Sequence, residues 1–92
     1  MNQLSRNEVA DAIVEFLRKE TNFDDPALIN ESTRLMESGI IDSLMMMSVV
    51  AYCQESFRCD IGPYDLTEES LENALAIADL VLRVRSVSGA SG

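Results

Sequence analysis

The stretch Asp42-Ser43-Leu44-Met45-Met46-Met47-Ser48-Val49-Val50-Ala51-Tyr52-Cys53-Gln54-Glu55-Ser56-Phe57 reads as a helix that Asp42 opens, after Gly39 ends the loop before it, and that runs to about Ser56. At about 100° per residue, Met45, Met46, Val49, Val50, Cys53 and Phe57 fall within a wedge of roughly 140°, and that wedge is the expected core face. Leu44, Met47 and Ala51 fall on the opposite side, among Ser48, Gln54 and Glu55. Single surface hydrophobes are common and need no explanation. Three of them together beside a helix N-terminus read as a docking surface. The run Met45-Met46-Met47 fits either soft packing filler or a more special role.

The segments on either side are also helical in pattern. Ser5 and Glu8 have capping-box spacing, with Leu4 and Val9 placed for a hydrophobic staple. Val9, Ile13, Phe16 and Leu17 then form one stripe, while Glu8, Asp11 and Glu15 precede Arg18 and Lys19, as a helix dipole favours. Residues 21–42 read as an ordered loop pinned to the core by Phe23, Leu28, Ile29, Leu35, Met36, Ile40 and Ile41. Asp25-Pro26 can start a turn of helix over Ala27–Ile29. With Asp24, Asp25, Glu31, Glu37 and Asp42 against Arg34, the loop carries a charge of −4. Beyond Phe57 the chain turns through Arg58–Pro63, with Gly62-Pro63 as a helix-breaking pair. A short helix within Asp65–Ser70, capped by Thr67, and a last helix over Ala74–Arg85, capped by Asn73, complete the pattern. The last stripe is Ala74, Ile77, Ala78 and Val81, extended by Leu80 and Val84, with Arg83 and Arg85 at its C-terminal end. No stretch alternates as a strand does. The expected fold is all-α, a small bundle of three main helices plus one short one over residues 1–85, with a flexible Ser/Gly-rich tail at 86–92.

Composition limits what such a bundle can do. The chain has 92 residues, 16 acidic and 7 basic, for a net charge of −9. That charge disfavours nucleic acid and anionic membranes and favours basic protein partners. The absence of histidine excludes His-based triads, His acid/base steps and His-ligated metals, so neither an enzyme nor a metal site is expected. Cys53 and Cys59 form a lone C-x₅-C, which is no zinc pattern and reads as two reduced thiols of a cytosolic protein. No apolar run is long enough for a signal peptide or membrane span, so a soluble, cytoplasmic monomer is expected.

Ser43 stands at the start of the central helix, where free N–H groups and the positive dipole end suit a phosphate-bearing group. Asp42 and Ser43 are both favoured caps, so position alone also fits a plain helix start. With neither histidine nor a nearby lysine to activate it, Ser43 is not a catalytic nucleophile. Gly39-Ile40-Ile41-Asp42-Ser43-Leu44, however, resembles the phosphopantetheine-attachment motif of acyl and peptidyl carrier proteins. Leu35-Met36-Glu37-Ser38 looks like its lead-in, and Phe57 through Ile61 like the end of that family's second helix. Asp65-Leu66-Thr67-Glu68-Glu69 and Ala76-Ile77-Ala78-Asp79-Leu80-Val81 look like its last two helices.

The resemblance implies an acyl-carrier-type four-helix bundle with 4′-phosphopantetheine attached covalently to Ser43 from coenzyme A by a phosphopantetheinyl transferase. Its terminal thiol would hold an acyl or aminoacyl group as a thioester. Asp42 would orient the motif and face the transferase, and Leu44, Met47, Ala51 and Glu55 would face partners. Those partners would be an adenylating ligase or acyltransferase and downstream biosynthetic enzymes. Where the family's fatty-acid members have acids just after the Ser-Leu pair and one turn later, this chain has Met45 and Ser48. Modular peptidyl carriers usually have histidine at the position of Asp42. The chain therefore looks more like a stand-alone carrier of specialised biosynthesis, of non-ribosomal peptide or polyketide type. The alternatives are a carrier of fatty-acid synthesis and a non-carrier helical interaction module in which Ser43 only caps a helix.

Overall fold

Ser5 and Glu8 cap each other as their spacing predicts: the Glu8 N–H donates to Ser5 Oγ at 3.1 Å and the Ser5 N–H to Glu8 Oε1 at 2.9 Å. In the computed structural model, which describes residues 5–20, 29–39 and 41–91 and side chains as far as Arg85, that box starts α1 (Arg6–Glu20). Two further helices follow, α2 (Ser43–Phe57) and α3 (Ala74–Ser91), with a single 3₁₀ turn at Pro63–Asp65 between them. Among the described residues there is no strand. The staple partner Leu4 and the Asp25-Pro26 turn lie outside the described residues, as do Phe23, Leu28 and Ile40.

One core joins all three helices. Val9, Ala10, Ile13, Val14 and Leu17 of α1 are buried with Met46, Val49, Val50, Cys53 and Phe57 of α2 and Ala74, Ile77, Ala78, Leu80 and Val81 of α3. α1 and α3 form the main packing pair, and Ala10, Ala74 and Ala78 are fully buried in the core. α2 meets α1 through one aromatic contact and carries a second within itself. Tyr52 stacks on Phe16 at a ring-centroid distance of 4.3 Å and meets Phe57 edge-on at 6.1 Å. Phe16 and Met45, expected in the core, are half-buried at its margin.

The loop before α2 is ordered by bonds as well as burial. The Arg18 guanidinium donates to the Ile29 carbonyl at 2.8 and 3.2 Å, fastening the loop to α1. The Leu35 N–H donates to the Glu72 carbonyl at 3.0 Å and the Leu75 N–H to the Glu31 carbonyl at 3.1 Å, fastening it to the start of α3. Ile29, Leu35 and Ile41 are buried, as expected, but Met36 is not. It lies in a hydrogen-bonded turn closed from the Gly39 N–H to its own carbonyl at 3.1 Å, which leaves its side chain facing out.

The connection after α2 departs from expectation in two places. Gly62-Pro63 does not end helical structure but begins the 3₁₀ turn, because proline lacks only an N–H that the first helical position does not use. Asp65 closes that turn by accepting the Gly62 N–H at 3.0 Å while its own N–H donates to the Gly62 carbonyl at 3.0 Å. The expected Asp65–Ser70 helix is thereby reduced to one separate turn. Thr67 still caps it, through Oγ1 accepting the Ser70 N–H at 3.1 Å. Asn73 caps α3 as expected, accepting the Ala76 N–H at 2.8 Å, and that helix runs past Arg85 to Ser91. Arg85 does not stabilise the end of its own helix. Its Nε donates to the Phe57 carbonyl at 2.9 Å and so satisfies an acceptor at the end of α2.

Arg58 ends α2 in the left-handed conformation, at φ 51°, and both its N–H and that of Cys59 reach the Gln54 carbonyl. This cap brings the residue after the left-handed position back over the last turn, where an apolar contact normally accompanies it. Here the contact is between cysteines: the Cys59 thiol, buried with Cys53, donates to the Cys53 carbonyl at 3.6 Å. Burial, with Cys59 nearby, pushes the Cys53 thiol up to about 12. Burial raises Cys59 too, helped by Asp60 and opposed by Arg85.

Two predictions follow from this packing. Leu35→Ala should cost about 2–5 kcal/mol in urea unfolding and Met36→Ala less than about 0.5 kcal/mol, although the residues are adjacent. Equal costs would mean that the turn is misoriented. The unfolded chain ionises Cys53 near 9.0 and the folded chain only near 12, so this group's share of stability is intact below pH 9 and is lost as pH rises from there. Cys53→Ala should therefore flatten the fall in stability between pH 9 and 11, and an unchanged slope would contradict the burial of that thiol.

Candidate functional site

The start of α2 is built by the loop that precedes it. Gly39 has φ +81°, where glycine carries no steric cost, and a Cβ there would meet open space, so only the backbone conformation requires glycine. The Ile41 N–H then donates to the Leu35 carbonyl at 3.3 Å, and the Ile41 side chain is buried. The chain is thus held on both sides of residue 40 when it reaches Asp42, whose backbone is extended at φ −109°, ψ −175°.

Asp42 is the cap, which resolves the choice between the two residues. Its Oδ1 accepts the Met45 N–H at 2.8 Å and its carbonyl accepts the Met46 N–H at 2.9 Å. Ser43 becomes the first helical residue, exposed, with its hydroxyl not needed for capping. Along α2, the residues that helical angles assign to the outward face are on the outside. Leu44 is 79% and Met47 54% exposed, and Ala51 and Glu55 are exposed as well. Met46, Val49, Val50, Cys53 and Phe57 face inward from the same helix. Of the residues expected to form the acidic side of the loop, Glu37 and Asp42 are exposed and Glu31 half-buried, while Asp24 and Asp25 lie outside the described residues.

Met36, expected to pack, is 45% exposed instead, which the sequence did not signal. Tyr64, on the 3₁₀ turn, is another exposed apolar side chain. A recess between α1 and the loop is lined by Asp11, Val14, Glu15, Arg18, Asn30, Glu31 and Ser32 and includes no residue of α2. At the start of α2 itself Asp42, Ser43 and Leu44 are exposed, a surface open to other proteins. Among the described residues no helix is long and apolar enough to cross a membrane.

A phosphodiester on Ser43 fits this geometry. The hydroxyl is accessible, and the helix N-terminus presents its partial positive charge there. A search of curated proteins found no significant relative of the chain. Residues 11–81, in contrast, match the family described as "Phosphopantetheine attachment site" (PP-binding), a span that takes in most of α1, all of α2 and the start of α3. Domains of this family are carriers that work with transferases and biosynthetic enzymes. On that match the chain belongs to the phosphopantetheine attachment site family, whose domain is the point of attachment for the 4′-phosphopantetheine prosthetic group.

Proposed function

We propose that Ser43 is the attachment residue and that the chain is a stand-alone carrier of an aminoacyl or acyl group in specialised biosynthesis, of non-ribosomal peptide or polyketide type. The observation that carries the assignment to Ser43 is its exposed position as the first residue of α2, with capping left to Asp42. When bound, the arm supplies a terminal thiol that holds the cargo as a thioester. The chain's own residues position and present it. Asp42 fixes the first turn of α2, so that the Ser43 hydroxyl is offered in one orientation to a phosphopantetheinyl transferase. Leu44, Met47 and Ala51 offer apolar area that loses water only on docking, and Glu55 adds a negative charge to the same face. The net charge of −9 steers basic partner surfaces toward it.

The cargo class rests on Met45 and Ser48. Neither provides the negative charge that fatty-acid carriers resemble one another in having at those positions, and Ser48 is exposed where a partner would meet it. An adenylating ligase or acyltransferase would load the arm, and downstream biosynthetic enzymes would unload it. The carrier itself catalyses nothing, having no histidine to serve as base. It acts as a monomer in the cytoplasm, where Cys53 and Cys59 stay as free thiols.

Incubation with a promiscuous phosphopantetheinyl transferase, Mg²⁺ and coenzyme A should add the mass of one phosphopantetheine, and Ser43→Ala should add none. A wild-type chain that stays unmodified, or an alanine variant that gains the mass, would refute the assignment. A chain in which Ser43 had only a structural role would show no mass change in either form.

A further inference from the structure

We propose that Met47 is a reversible oxidation site, at which a hydroperoxide converts the partner-facing side of α2 from apolar to polar. The inference rests on reading that side of α2 as the surface partners dock on. The methionine run is split by the helix into three environments. Met46 is 4% exposed, Met45 is half-buried against the core, and Met47 is 54% exposed. Met47 follows Ser43 by four residues, which makes the two neighbours on the helix surface, with Cβ atoms about 5–6 Å apart. A thioether thus lies beside the hydroxyl that is to be modified. Leu44, on the same face, provides similar apolar area with no oxidisable atom, so the sulfur brings a chemistry that docking alone does not require.

The step is a two-electron oxygen transfer. A sulfur lone pair of Met47 attacks one peroxide oxygen; the S–O bond forms as the O–O bond breaks, and the second oxygen leaves with the proton as water or an alcohol. The sulfur is oxidised to the sulfoxide and the peroxide is reduced. A sulfoxide oxygen must lose its hydration when a partner covers this face, so docking weakens. The fold is spared, since Met47 is outside the core. Cys53 and Cys59 do not compete for the oxidant, because both are buried and held protonated at neutral pH. Methionine sulfoxide reductases reverse the change, so the apolar face can be restored.

The test uses the full chain, unmodified at Ser43, treated with dilute hydrogen peroxide. Peptide mass mapping then gives the order of oxidation, and transferase, Mg²⁺ and coenzyme A give the rate of Ser43 modification before and after treatment. Oxygen should appear at Met47 and Met36 ahead of Met46. The ratio of treated to untreated rate should fall about fivefold or more in the wild type and in Met36→Leu, and stay near one in Met47→Leu. Sulfoxide reductase should restore the wild-type rate, with the circular dichroism spectrum unchanged throughout. The proposal fails if a fully oxidised Met47 leaves the wild-type rate unaltered, if Met47→Leu slows as the wild type does, if Met46 reacts first, or if treatment unfolds the chain. An untreated chain that accepts no phosphopantetheine would instead refute the carrier reading beneath it.

Discussion

The Asp42 carboxylate accepts the Met45 N–H and so fixes the residue at which α2 begins, which leaves Ser43 as the first helical residue. The rotational phase of the helix is held by its buried face, Met46, Val49, Val50, Cys53 and Phe57, and the cap is consistent with that phase in leaving Ser43, Leu44 and Met47 outside. The loop supports this one bond from behind. Arg18 holds the Ile29 carbonyl, Leu35 is tied to the Glu72 carbonyl, and Ile41 is buried and bonded to Leu35. The loop that leads into the cap is thus tied both to α1 and to the start of α3.

Most of this was legible in the sequence wherever short-range rules decide the outcome. The Ser5–Glu8 box, the Asn73 cap and the two faces of α2 are all set by side chains within four residues of one another, and each is as expected. The misses depend on longer-range partners or on competing turns. Met36 counted as a hydrophobic anchor, but the turn from its carbonyl to the Gly39 N–H points it outward. The short helix gave way because Asp65 closes a tight turn on Gly62, leaving Thr67 to begin again. Arg85 sits at the proper place to stabilise its own helix, yet the carbonyl it meets belongs to Phe57, twenty-eight residues earlier in the chain. No periodicity encodes such a contact.

The site shows the same division. The pattern around Asp42, Ser43 and Leu44 led to a family, and the match over residues 11–81 shows that family. Position alone left two candidates for the cap; only the geometry separates Asp42, bonded to the first turn, from Ser43, left with an accessible hydroxyl. The chemistry asked of the chain is modest, which suits a bundle whose thiols are buried. What it provides is a fixed helix start and an outward face. Exposed apolar groups there contribute little to folding and are free to serve recognition.

The central claim is that α2 has two separable faces, one for the fold and one for partners. It is tested most directly by comparing Met47→Ala with Phe57→Ala, measuring thermal unfolding and the rate of phosphopantetheine transfer on the same samples. Phe57 is 8% exposed and touches Tyr52, so its removal should cost about 3 kcal/mol while leaving transfer near the wild-type rate at a temperature where the variant stays folded. Met47→Ala should slow transfer with a loss of stability below about 0.5 kcal/mol. If Met47→Ala instead unfolds the domain, or if both variants lose stability and rate in parallel, the two faces of α2 are not separable.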